Sequence, residues 1–441
     1  ENDQVRMRAS KVLGGRRAAD AVKLIGEASK HKLPAVREGA CRALAKIGDP
    51  AALDALAACL SIEKDPAVLS ATLQGLAATK KAPSVDIVAK HLSHREPAVY
   101  YAAIDVLGSS GDPNCAEPLN GMLKSKDWSQ QLAVIQALTK LRAKSSIEPL
   151  IELLAGSKGR VATEARDALV TITGWEFSTD PKRWQEWWSN LKPDWEVPKV
   201  VKKVDPSLEG YGQRATNYHQ IKTTSKKIFF VIDVSASMDG EIRFKDSDGN
   251  WQRDTRMSLA KQELIKTIKG LDENTEFGIL AFEALLEPFK PGLVRATAGG
   301  IDEAVTWINN LRTFTNGNVV GAQSYTEENY QRGETNTFAA LKWIYGKKGK
   351  EGPSIVTTTG SGPNLPKLKP VADTIFFLSD GEPSCGEITV VDDIIDKITQ
   401  YNKSTRVVIN TISFDTVGIG RKFLEDVARI TGGKSVVVGS Q

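Results

Sequence analysis

Two carboxylates and three hydroxyls carry the chemistry of this chain. Asp233, Ser235 and Ser237 alternate in the stretch Asp233-Val234-Ser235-Ala236-Ser237, and Thr335 and Asp380 recur far downstream. All five are hard oxygen donors, which suit Mg²⁺, Mn²⁺ or Ca²⁺ rather than zinc or copper. Each group sits where a ligand site is expected. Asp233 ends the apolar run Ile228 to Ile232, and Asp380 ends Thr374-Ile375-Phe376-Phe377-Leu378. Short apolar runs rich in β-branched and aromatic residues read as strands buried on both faces. Open α/β sheets bind their ligands at the carboxyl ends of such strands. Thr335, in Gly333-Glu334-Thr335-Asn336-Thr337, opens a helical pattern through Phe338, Leu341, Trp343 and Ile344.

These three stretches resemble the metal-ion-dependent adhesion site of von Willebrand factor type A (vWA) domains. The D-x-S-x-S loop, the G-x-T-N loop and the hydrophobic-x-D-G loop occur here in the family's order. Phe423-Leu424 through Thr431-Gly432-Gly433 also resembles the F-L…T-G-G ending of many bacterial vWA domains. The resemblance implies a Rossmann-like α/β domain with a mostly parallel sheet, over 225–441. It implies a Mg²⁺ (or Mn²⁺ or Ca²⁺) ion held by Ser235, Ser237 and Thr335, with Asp233 and Asp380 acting partly through water. An open coordination position would accept an exposed Asp or Glu of a protein ligand.

The elements that must position these residues follow from the hydrophobic pattern. Met257 to Ile268, Ile301 to Leu311, Phe338 to Tyr345, Val391 to Tyr401 and Arg421 to Ile430 read as helices. Glu276 to Phe282, Val407 to Phe414 and Ser435 to Val438 read as strands. Such alternation predicts a parallel sheet with helices on both faces. The insertions 239–256 and 313–332 fall on the metal face and bring Trp251, Phe314, Tyr325 and Tyr330; with Glu334, these are the candidate partner contacts. Within the first, Asp248-Gly249 between Phe244 and Trp251 reads as a hairpin turn. A third insertion, 347–369, precedes the Asp380 strand and belongs at the opposite end.

Residues 1–192 repeat themselves. Unit starts at Asp3, Pro34, Pro66, Pro97, Trp128 and Gly159 are 31 or 32 residues apart. One apolar row is Val5, Val36, Val68, Val99 and Val161; another, eight positions on, is Leu13, Leu44, Leu76, Leu107, Leu138 and Leu169. Two amphipathic helices per unit without strand signals predict an all-α solenoid, resembling short bacterial HEAT-type repeats. Its last apolar face needs a cap. Asp180-Pro181 opens a helix that places Trp184, Trp187 and Trp188 on one face, as core rather than as a stacking platform. Residues 193–224 read as a linker.

Composition narrows the function. The chain has 441 residues, 41% hydrophobic content, 25% charged content and a net charge of +4. No apolar run approaches the roughly 18 residues of a membrane span. The small charge argues against a dedicated nucleic-acid binder. Four cysteines without C-x-x-C spacing exclude a disulfide scaffold and a zinc site, leaving open whether Cys41 and Cys59 pair across one helical hairpin. No G-x-S-x-G elbow, phosphate loop or His beside the metal motifs is present, so no enzyme is expected.

The function expected is metal-dependent protein binding or adhesion, with the array as a second docking surface. The alternatives are an RNA-binding protein similar to the Ro autoantigens, which also join HEAT-like helices to a vWA domain, and a structural subunit whose metal stabilises the fold. Adhesion-type sites suit millimolar extracellular Mg²⁺, which points to an exported protein with a cytoplasmic one as the alternative.

Overall fold

The computed structural model describes residues 19–79, 84–191, 194–199, 216–245, 250–313, 331, 333–346, 371–380, 382–403, 405–414 and 418–439. The expected contacts Phe314, Tyr325 and Tyr330 and the insertion 347–369 lie outside these residues. The chain divides into two compact units, one within Glu1–Pro206 and one within Ser207–Thr359 and Leu368–Gln441.

The first unit is helical. Its helices are α1 (Ala19–Ala28), α2 (Pro34–Ile47), α3 (Pro50–Ile62), α4 (Pro66–Thr79), α5 (Val85–Ala89), α6 (Pro97–Ser109), α7 (Ala116–Met122), α8 (Trp128–Leu141), α9 (Ile147–Gly156), α10 (Gly159–Thr173) and α11 (Pro181–Ser189). Every described unit start from the repeat analysis is the first residue of a helix. Proline opens α2, α3, α4, α6 and α11, where its missing N–H has no partner to lose. The opening helices stack in series, α2 on α4, α4 on α6, α6 on α8 and α8 on α10. Gly108 permits one of these approaches, since a Cβ there would stand 2.6 Å from that of Ala137.

Leu44, Leu76, Leu107, Leu138 and Leu169 are all buried. The valine row departs from expectation at one place: Val68 and Val99 are fully buried, but Val36 is 39% exposed. Its stacking neighbour would be the helix expected from Asp3, outside the described residues. At the other end Asp180 caps α11 by accepting from the Lys182 N–H. Trp184 is fully buried and donates to the Ser178 carbonyl, 2.9 Å away. Trp187 and Trp188 are half-buried against the same core.

The second unit is built on a seven-stranded sheet. Its strands are β3 (Lys227–Asp233), β6 (Glu276–Phe282), β7 (Leu286–Pro288), β8 (Val294–Arg295), β9 (Thr374–Ser379), β10 (Val408–Phe414) and β11 (Ser435–Val438). Two hairpins flank it in sequence, β1 (Thr216–Tyr218) with β2 (Ile221–Thr223) and β4 (Glu241–Lys245) with β5 (Trp251–Thr255). The strands of the second lie on either side of the expected turn Asp248-Gly249, which falls outside the described residues. The sheet order is β11-β10-β9-β3-β6-β7, with β8 also on β6. β3, β6, β9, β10 and β11 are parallel, while β7 and β8 run antiparallel to β6. Helices α12 (Arg256–Lys269), α13 (Ala298–Asn310), α14 (Thr337–Ile344), α15 (Val391–Lys403) and α16 (Gly418–Thr431) complete the alternation.

The linker expected at 193–224 needs correction at both ends. Trp195 and Val197 pack on the helical core, and Tyr218 and Ile221 are buried in the core of the α/β unit. Large apolar side chains at these four positions are held by burial although no regular period announces them.

Candidate metal centre

β3 lies between β6 and β9 and is covered on both faces, so Ile228 to Asp233 are all buried. The chain leaves β3 towards β6 on one side and later leaves β9 towards β10 on the other. Strand order therefore reverses between β3 and β9. In open α/β sheets such a reversal is where ligands bind, at the carboxyl ends of the strands. Register brings the acids together: Ile232 pairs with Leu378, which sets Asp233 beside Ser379 and one step from Asp380.

Four of the five expected ligands form one hydrogen-bonded cluster. The Asp233 Oδ1 accepts from the Ser235 N–H at 2.8 Å, and its Oδ2 accepts from the Ser379 hydroxyl at 2.6 Å. Ser235 and Ser237 hydroxyls are 3.0 Å apart, and the Ser237 hydroxyl donates to Asp380 Oδ1 at 2.7 Å. A 3₁₀ turn, Ala236–Asp239, carries Ser237 round to this position.

Thr335 is buried in the neighbouring loop. That loop is fixed through its backbone. The Ala236 N–H donates to the Gly333 carbonyl at 3.0 Å, which ties the D-x-S-x-S loop to the Thr335 loop. The Thr335 N–H donates to the Ser384 hydroxyl, and its carbonyl accepts from the Ser384 N–H. Gly386, at φ 112°, closes against Asn336: a Cβ there would stand 2.2 Å from Asn336 Oδ1, so no side chain fits.

Electrostatics mark the cluster as short of positive charge. Burial, followed by the nearby Asp380 charge, pushes the Asp233 carboxyl up to about 7, against the pull of its hydrogen bonds from Ser235 and Ser379. A cation of the chain itself meets the cluster. The Arg256 guanidinium, at the start of α12, donates through Nη1 to Asp380 Oδ2 at 2.5 Å and to the Ser237 carbonyl at 3.1 Å. Among the described residues no group of three or more His, Cys, Asp and Glu gathers as a metal cluster. The donors here are two acids and hydroxyls, the hard-oxygen chemistry of a Mg²⁺-type site. A divalent cation fits this set, because two buried carboxylates joined by hydroxyls lack the charge it would supply.

The partner-contact candidates are less gathered. Trp251 is 57% exposed on β5, and Glu334 is half-buried beside Thr335, accepting from the Gln331 N–H. Sequence reasoning missed Arg256, Glu283, Ser379 and Ser384. Glu283, buried immediately after β6, accepts from the Ala284 and Gly333 N–H groups at 2.7 and 2.8 Å. An acid following a buried strand was a readable signal, the same one that exposed Asp233 and Asp380. Arg256 had none, since its contact with Asp380 spans 124 residues.

Comparison with known proteins matches residues 1–77 and 85–170 to the HEAT repeat family model. A stretch of 114 residues is 26% identical to mouse inter-alpha-trypsin inhibitor heavy chain 4, covering 26% of this chain and 11% of that protein's length. Among solved structures, a von Willebrand factor type A protein from Catenulispora acidiphila aligns over 50% of this chain and 40% of its own, at 16% identity and a TM-score of 0.32. The complex of CpcE and CpcF of phycocyanin lyase from Nostoc aligns over 38% of this chain and 71% of its own, at 24% identity and a TM-score of 0.29. Among the described residues no helix is long and apolar enough to cross a membrane. The chain joins helical repeats, matched by the HEAT repeat model over 1–77 and 85–170, to an α/β domain built on a mostly parallel sheet.

Proposed function

We propose that the α/β unit is a divalent-metal-dependent protein-binding module, with the HEAT array as a second docking surface. The observation that carries this reading is the cluster of Asp233, Ser235, Ser237 and Asp380 at the strand-order reversal. Asp233, Ser235, Ser237, Thr335 and Asp380 would hold the ion, which supplies an electrostatic anchor for an acidic side chain of the partner. The protein's own contribution is preorganisation. Ser379 orients Asp233, Glu283 and Ser384 fix the Thr335 loop, and the Ala236 N–H ties that loop to the Asp233 loop.

The reading is one of binding without catalysis. Glu334 and Glu283 stand near Thr335, and Glu283 is already committed to two backbone N–H groups. Trp251 and Glu334 stand as candidate partner contacts.

The test has two arms. Calorimetric titration with Mn²⁺ and Mg²⁺ reads the ion directly, and a partner captured on the immobilised chain is challenged with EDTA. Binding of the partner is expected to be lost with EDTA and restored by Mg²⁺ or Mn²⁺. No ion uptake by the wild-type chain, or a partner indifferent to EDTA, overturns the proposal.

A further inference from the structure

The two thiols of the second repeat are placed for a covalent bond. Cys41 lies midway along α2 and Cys59 near the end of α3, the two antiparallel helices of one hairpin. Their Sγ atoms are 3.4 Å apart and hydrogen-bonded, in a buried position. Both are free thiols, as are Cys115 and Cys385. Cys115 has a different neighbour, the Ser110 hydroxyl, so the pairing is confined to α2 and α3.

We propose that Cys41 and Cys59 form a reversible disulfide that cross-links α2 to α3, made by exchange with a small-molecule or protein disulfide. Cys59 is the attacking thiol. It is 5% exposed where Cys41 is fully buried. The hydrogen bond from Cys41 draws the Cys59 thiol down to about 7, with a smaller contribution from the Arg37 guanidinium and against the effect of burial. A thiol near ambient pH attacks disulfides best.

The exchange balances in two steps. The Cys59 thiolate attacks one sulfur of the incoming disulfide, forming a mixed disulfide and releasing one thiolate, which takes up a proton. Cys41 then loses its proton and attacks Cys59 Sγ, forming the Cys41–Cys59 bond and releasing the second thiol. The chain's two thiols are oxidised by two electrons and the incoming disulfide is reduced by the same two. The incoming molecule reaches Cys59 by local opening of the hairpin, a lower barrier than global unfolding.

The full-length chain tests this by thiol alkylation and peptide mapping after equilibration with oxidised glutathione. The wild type is expected to fall from four reactive thiols to two, with Cys41 and Cys59 joined in one peptide pair. Its helical melting temperature should rise by roughly 5–10 °C, as for a bridge closing a short loop. Cys41→Ser is expected to stop at a glutathione adduct on Cys59, and Cys59→Ser to remain reduced at Cys41. Four reactive thiols in the oxidised wild type, or a joined pair involving Cys115 or Cys385, overturns the proposal. Should either variant fail to fold, the wild-type peptide map alone decides.

Discussion

The two units of this chain use their buried residues in opposite ways. In the helical unit the same kinds of residue recur at one spacing, and Leu44, Leu76, Leu107, Leu138 and Leu169 each do the same job in a different repeat. In the α/β unit each residue of the metal centre occurs once, and its partner is far away in sequence, 143 residues separating Ser237 from Asp380. A repeat spreads stability over many equivalent apolar contacts. The candidate metal centre concentrates like charge in one buried place, which costs stability. Loss of a core residue in the array should therefore lower stability and spare ion binding, whereas loss of an acid in the centre should do the reverse.

The sharpest way to break that contrast is Asp233→Ala. Ion binding measured by calorimetry should disappear, while the urea midpoint of the α/β unit stays level or rises, because a buried acid short of countercharge has gone. Unchanged ion affinity would remove Asp233 from the site. Trp184→Ala is the counterpart in the array. It should cost about 3–5 kcal/mol, as large aromatic truncations in cores do, with helical melting followed by circular dichroism and Mn²⁺ affinity unchanged. A wild-type melt in that variant would mean that Trp184 closes nothing.

A third test lies in the α/β unit but away from the metal centre. His219 is buried between Tyr218 and Phe414, and its Nε2 has no partner. Burial, with a smaller contribution from the Lys266 charge, holds it down to about 4. Because the folded value lies below the unfolded one near 6.5, the unfolded chain binds the extra proton first as pH falls. Stability should be full above about pH 6.5 and decline towards pH 4, by about 3 kcal/mol in all. His219→Asn, which tolerates the positive φ of 45° at this position, should flatten that profile in urea titrations run across pH. A profile of equal slope in the variant would assign the loss to other groups.

The smallest effect is expected at Arg256. Its guanidinium occupies Asp380 Oδ2, so Arg256→Met should free that oxygen and tighten Mn²⁺ binding several-fold, while the ion-free fold loses stability with the ion pair of the buried Asp380. Weaker binding would make Arg256 a support of Asp380 rather than a rival of the ion.

The two units also differ in how far they could be read from sequence. A period of 31 or 32 residues states where the opening helix of each repeat begins, and the described opening helices begin there, because one packing problem is solved again in each repeat. The strands around Asp233 and Asp380 were equally legible, since both-face burial writes an unbroken apolar run. Their assembly into one cluster was legible only through the resemblance of three loops to a known family. Physical reasoning missed Arg256 and Ser384 because a contact between residues distant in sequence leaves no local pattern. The stretch 193–224 misled for a related reason: Trp195 and Tyr218 are single anchors, and a single buried aromatic has no period.

One feature of the sheet sets a clock for the α/β unit. From Ile228 to Ile232, β3 is paired with β6 on one edge and β9 on the other, under two covered faces. Backbone amides in such a strand exchange with deuterated solvent only when the whole domain opens. Ser235 to Ser237 follow that strand directly, in a turn outside the sheet. The ion would thus be held on one side by a strand whose amides open only with the whole domain, and on the other by a turn tied to the Thr335 loop through the Ala236 N–H.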